Sequence, residues 1–143
     1  MGKLNLPKTG IVYVETAPII YSVEKHADYW TLMQPVWQAS QNGQIEIITS
    51  ELTLLELLVA PLKQNNQTLV TAYERLLTAT EVRLLPISVF VLREAANLRA
   101  QLNLKTPDAI HAASAHNCDL FLTNDANFRR VSSLNINVLK DFI

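Results

Sequence analysis

Glu15, Glu56, Asp108 and Asp125 are the side chains of this sequence best suited to act together. Glu15 ends an apolar run, Ile11 to Val14. Asp125 follows another, Leu120 to Leu122, after Thr123 and Asn124. Asp108 stands just behind Thr106, which can cap a helix, and Pro107, which suits the first helical position. Glu56 lies early in a helix that Ser50 can cap. Four crowded carboxylates repel and raise one another's pKa. A divalent cation relieves that repulsion, and hard oxygen ligands suit Mg²⁺ or Mn²⁺. Such an ion lowers the pKa of a bound water and polarises a phosphoryl oxygen, and both effects serve phosphodiester hydrolysis. No base from Ser, His or Cys is then required.

Each acid also has a simpler explanation. Asp108 can complement a helix dipole, worth ~0.3–1 kcal/mol. Asp125 can cap a short helix starting at Ala126. Glu56 is harder to explain this way, because its helical neighbours are Leu52, Thr53, Val59 and Ala60. A carboxylate among them needs a partner or a metal if it is buried. Glu15, just past an apolar strand, is similar. His111 lies one helical turn after Asp108 and can face the same site, with a polar or solvent-facing helix position as the plainer alternative. Arg129 and Arg130 can touch phosphate or simply line a solvated helix face.

The acids need a scaffold that gathers them. Ile11–Val14, Ile45–Ile48, Arg83–Pro86, Leu120–Leu122 and Ile136–Leu139 read as short strands, the first suited to a sheet centre covered on both faces. Between them lie helical patterns: Pro18 opening a helix over Ile19–Glu24, then Tyr29–Ser40 with a break or kink at Pro35. A helix from Ser50 ends near Pro61, and an amphipathic helix carries Leu69, Tyr73 and Leu76. Ser88–Leu102 shows Val91, Ala95, Leu98 and Leu102 on one face. A helix opens at Thr106, and a short one spans Ala126–Val131. Alternation of strand and helix favours a parallel sheet with helices on both faces. In such a layer, strand C-termini and helix N-termini share one edge, where ligand sites form. All four acids fall within about two helical turns of that edge.

Composition removes other chemistries. At 143 residues the chain is expected to be one domain, 1–143, and 49% apolar content argues against disorder. A formal charge of -1 gives no general attraction for nucleic acid, so such a partner needs a local patch. The lone Cys118 cannot form an internal disulfide, which fits a reducing cytoplasm. With only Gly2, Gly10 and Gly43, neither a dinucleotide fingerprint nor a P-loop can be built. C-x-x-C and H-E-x-x-H are absent. No signal peptide, myristoylation motif or membrane span is expected.

LKTPDAIHAA (104–113) and LTNDANF (122–128) resemble the third and fourth acidic motifs of the PIN domain family, in particular the VapC-type toxins of bacterial toxin–antitoxin pairs. SELTLLE (50–56) is similar to the second and VYVETAPIIY (12–21) to the first. The resemblance covers nearly the whole chain. It implies a three-layer α/β/α sandwich with a central parallel sheet of about four to five strands, and a Mg²⁺- or Mn²⁺-dependent endoribonuclease acting on an RNA substrate. Glu15, Glu56, Asp108 and Asp125 would hold the metal and its attacking water, with Thr123 and Asn124 as support. It also implies a homodimer and a cognate antitoxin that blocks the site, with an arm-like helix pair around Glu56 and Tyr73 making partner contacts.

The first motif departs from the family pattern, which normally carries Asp where this chain has Glu15. The added methylene moves the carboxylate by roughly 1 Å, a displacement that can cost ~10²-fold in rate. Charge and hard oxygens are kept, so metal binding survives more readily than turnover. Ala17 also replaces a frequent polar residue of that motif. Two other readings therefore stand beside the nuclease: a catalytically weakened scaffold that binds RNA or a protein, and a structural α/β module whose acids are caps.

Overall fold

The computed structural model describes residues 2–79 and 81–143. The chain alternates strand and helix: β1 (Gly10–Val14), α1 (Thr16–Val23), α2 (Trp30–Gln41), β2 (Ile45–Ser50), α3 (Glu51–Lys63), α4 (Gln67–Thr78) and β3 (Val82–Leu85). It continues with α5 (Val89–Leu102), α6 (Thr106–Ser114), β4 (Leu120–Thr123), a 3-10 turn (Ala126–Arg130), β5 (Ile136–Val138) and a second 3-10 turn (Leu139–Phe142). The sheet has five strands in the order β3-β2-β1-β4-β5, every pair parallel.

That order follows from the residues. Side chains alternate across a strand, so Val12 and Val14 point to one face and Tyr13 to the other. Val12 and Val14 join Ile19, Met33, Val36, Leu57, Tyr73 and Leu77 in one core, beneath α1–α4. Tyr13 joins Ile48, Val91, Ala95, Ala109, Ala112, Phe121 and Phe128 in the second, beneath α5 and α6. Strands buried on both sides are continuously apolar, as β4 is. Gly10 is required where β1 starts. Its φ is +149, and an added Cβ would lie 2.5 Å from Asp119 Oδ2, which accepts the Ile11 amide at 2.7 Å.

Local chemistry sets several ends. Ser50 caps α3 through the Leu52 amide and Ser88 caps α5 through the Val91 amide, each by its hydroxyl. Asn103, in the left-handed region with φ 56, ends α5. Proline misleads the sequence reading twice. α1 begins at Thr16, with Pro18 in its first turn, where a missing N–H costs nothing. α2 runs through Pro35 without a break, and α3 passes Pro61 to reach Lys63. Tertiary packing along both helices outweighs one lost hydrogen bond in each. Thr106 is not the cap of α6: Lys105 holds that position without a side-chain bond. Thr106 is the first helical residue, and its hydroxyl accepts from Arg99 Nη1 at 2.8 Å.

Candidate active site

From β1 the chain builds outward to β2 and β3, then returns across the sheet to place β4 on the other flank of β1. Such a reversal opens a crevice at the strand C-termini, between β1 and β4. Glu15 follows β1 directly, and its amide donates to Leu122 O of β4 at 3.0 Å. Asp125 lies two residues beyond β4. α3 and α6 carry Glu56 and Asp108 towards the same edge.

Glu15, Glu56 and His111 each offer an atom within 4.8 Å of the others. Glu15 Oε1 accepts the Thr123 hydroxyl at 2.8 Å, and Oε2 accepts the Ala17 amide at a long 3.4 Å, which makes Glu15 the cap of α1. Glu56 Oε1 accepts from Thr16 Oγ1 at 2.7 Å and pairs with His111 Nε2 at 2.6 Å. Burial works to raise the Glu56 pKa, but the bonds from His111 and Thr16 outweigh it and hold the group below its ordinary value.

Asp108 is held differently. Burial first, and then the negative charge of Asp125, raise its pKa; Glu56 adds to the rise, while His111 and Lys105 oppose it. No hydrogen bond contributes to that balance. Asp125 accepts the Asn127 amide at 2.9 Å and so does cap the turn that follows. The capping role anticipated for Asp125 is therefore real, and it fixes a carboxylate whose field reaches Asp108.

Thr123 and Asn124 take separate parts. The Thr123 hydroxyl donates to Glu15 and accepts the Asp125 amide at 3.0 Å, so it ties two of the acids together. Asn124 turns away to the fold, donating to Tyr21 Oη at 3.2 Å and accepting the Lys140 amide at 2.9 Å. Arg129 and Arg130 are exposed, and Arg129 is ion-paired with Asp141. Burial pushes the Cys118 thiol up to about 11, which disfavours the thiolate that a nucleophile needs.

His111 corrects the sequence reading most. It is 1% exposed rather than solvent-facing, and it touches Tyr13 as well as Glu56. Tyr13 was legible only as a strand residue, and Thr16 only as a member of the first motif, ahead of the expected helix. The available signal was spacing: His111 stands three residues after Asp108 within AIHAAS, an otherwise small and apolar helix face.

As a donor set, these groups fit a hard cation. Two carboxylates and an imidazole make up the close group, no thiolate lies among them, and Asp108 and Asp125 stand outside it; burial first and then the charge of Asp125 raise the Asp108 pKa, and a cation would offset that charge.

The same architecture recurs among solved structures. VapBC2 from Rickettsia felis, bound to a DNA fragment from its promoter, is 20% identical, with 89% of this chain and 97% of that one covered at a TM-score of 0.70. DNA-bound VapBC from Salmonella typhimurium is 17% identical over 88% of this chain and 96% of its own, at 0.68. A toxin–antitoxin complex from Klebsiella pneumoniae gives 21% identity, 86% and 94% coverage, and 0.62. No curated protein matches the sequence. The model of the PIN domain matches residues 12–134, a span that contains every strand-end acid of the β1/β4 crevice. By that match the chain belongs to the PIN domain family.

Proposed function

We propose that this protein is a divalent-metal-dependent endoribonuclease of the VapC type, the toxin of a toxin–antitoxin pair. Glu15, Glu56, Asp108 and Asp125 would hold Mg²⁺ or Mn²⁺. The observation that carries the reading is the approach of Glu15 and Glu56 to within 4.8 Å, beside His111, with Asp108 outside that trio but feeling the charge of both Asp125 and Glu56.

The protein's own residues then have defined tasks. Thr123 fixes Glu15 and, through the Asp125 amide, the start of the following turn. Thr16 and His111 fix Glu56. The bound cation supplies Lewis acidity towards a phosphoryl oxygen and acidifies a water. Asp108 and Asp125 keep the crevice negative, so an RNA phosphate approaches only when that charge has been offset. RNA as substrate rests on the similarity of the four motifs to those of VapC-type ribonucleases. An antitoxin partner is supported by the toxin–antitoxin complexes that share the fold. Leu55, Val59 and Leu62 leave an apolar strip exposed on α3, a face suited to a second copy of the chain or to the antitoxin. No described helix is long and apolar enough to cross a membrane, and we place the protein in the cytoplasm.

Glu15 favours a second reading, a weakened scaffold that binds RNA or protein. Its longer side chain is already engaged by Thr123 and the start of α1. Cleavage of total RNA with Mn²⁺, against an EDTA control, separates the two. The nuclease reading expects cutting that Glu15→Asp increases, by up to ~10²-fold. If neither form cuts any RNA, the enzyme reading is lost and the scaffold stands.

A further inference from the structure

His111 clusters with Glu15 and Glu56 as though it were a third ligand. Its hydrogen bonds argue otherwise. Glu56 Oε1 already accepts the Thr16 hydroxyl at 2.7 Å, and a carboxylate oxygen only accepts, so Nε2 at 2.6 Å must carry the hydrogen. In a neutral imidazole the remaining lone pair is then on Nδ1. Nδ1 lies 2.7 Å from the Tyr13 hydroxyl. A phenol is protonated at neutral pH, and this one is fully buried, so its hydrogen is donated to Nδ1. In the imidazolium form both nitrogens would donate, and neither would have a lone pair.

Packing holds the ring in this pose. Tyr13 meets it edge-on at 5.9 Å, and Phe128 does so at 6.5 Å. Tyr13 is itself stacked on Phe121 at 4.9 Å. Glu56 Oε1 takes two hydrogens, from Thr16 and His111, which leaves Oε2 as the oxygen free for a ligand role.

Resting on the metal-site reading above, we propose that His111 is a positioning residue. Locked by Tyr13 as the Nε2–H tautomer, it orients Glu56 by one oxygen and contributes no nitrogen to the cation. The site is then all-oxygen, which selects hard Mg²⁺ or Mn²⁺ over softer ions that favour imidazole. Two side chains outside the acidic set thereby determine which class of metal the set accepts.

The test uses the full chain with Mn²⁺ as probe. Nitrogen NMR of the metal-free protein should show the Nε2–H tautomer; the Nδ1–H tautomer overturns the inference. Pulsed EPR of the Mn²⁺ form should show no histidine nitrogen coupling. A coupling that vanishes in His111→Gln makes His111 a ligand and also overturns it. By calorimetry, His111→Ala should weaken Mn²⁺ binding 10–100-fold, as loss of an outer partner of a ligating group does. His111→Gln keeps an N–H near the Nε2 position and should stay within roughly threefold of wild type. Equal affinity in wild type and His111→Ala reduces the residue to packing and defeats the proposal. Should His111→Ala fail to fold, the near-isosteric Tyr13→Phe replaces it: weakened Mn²⁺ binding supports the strut, and unchanged binding opposes it. A wild-type chain that shows the expected tautomer yet binds no Mn²⁺ overturns the metal reading itself, and the positioning role with it.

Discussion

Glu15 and Glu56 sit among donors, whereas Asp108 sits against another negative charge. On the first side, Thr123, Thr16 and His111 deliver hydrogens at 2.6–2.8 Å, and Glu56 is stabilised as a carboxylate. On the second, Asp125 is pinned by the amide of its own turn, and Asp108 receives burial and repulsion without a hydrogen bond. One half of the crevice is pre-organised, with the geometry of its carboxylates fixed by those donors. The other half stores electrostatic strain that only a cation or a proton relieves. Such a division is expected of a binding site. A surface built purely for stability would pair or expose all four groups.

Removing the strained half should produce the largest effect. Asp108→Asn keeps shape and removes charge, and RNA cleavage in Mn²⁺ is expected to fall by at least ~10²-fold, measured as an initial rate against wild type. Full activity in this variant would mean that the strain at Asp108 serves no ligand. Weakening the organised half should do less. Thr123→Val leaves the volume but deletes the hydroxyl that joins Glu15 to the Asp125 amide. The initial rate of RNA cleavage in Mn²⁺ should drop by roughly 10-fold, the lower end for loss of an outer partner. A drop as large as that from Asp108→Asn would erase the difference between the halves.

The two halves were unequally legible in the sequence. Strand-end acids could be read, because an apolar run that stops at a carboxylate fixes both its depth and its edge; Glu15 and Asp125 are of this kind. Asp108 could be read from Thr106 and Pro107, although the cap belongs to Lys105. The partners that distinguish the halves could not be read. Thr16, Tyr13 and His111 are 37 to 98 residues from the side chains they hydrogen-bond, and hydroxyl and imidazole side chains occur in many settings. Nothing local in AIHAAS says that His111 will be enclosed by Tyr13 and Phe128, which arrive from other strands and turns. The helix start expected at Pro18 and the break expected at Pro35 were misjudged for a related reason, whereas α3 does end near Pro61, at Lys63. Backbone chemistry weakens a helix at proline, and packing from distant residues carries it through.

The smallest effect tests the comparison without any metal. Glu56 lies below its ordinary pKa of 4.5 in the folded chain, so its bonds stabilise the fold above that pH, and the contribution is lost as pH falls through the lower, folded value. Asp108 has the opposite sign. Its folded pKa lies above the ordinary 3.8, so the folded chain binds that proton more tightly than the unfolded one. Stability therefore declines as pH rises from 3.8 through the folded value, and the deficit persists at neutral pH. Asp108→Asn removes the decline, and in EDTA at pH 7 its Tm should exceed that of wild type by about 1 °C, the shift given by a few tenths of a kcal/mol in a chain of this size. Glu56→Gln should instead lower Tm at pH 7 and lose its deficit towards acid. If Asp108 merely complemented the α6 dipole, Asp108→Asn would lower Tm, because ~0.3–1 kcal/mol of favourable charge–dipole energy would go. The direction of a shift of about one degree thus decides whether Asp108 is held at the crevice against its own repulsion or placed there as a helix cap.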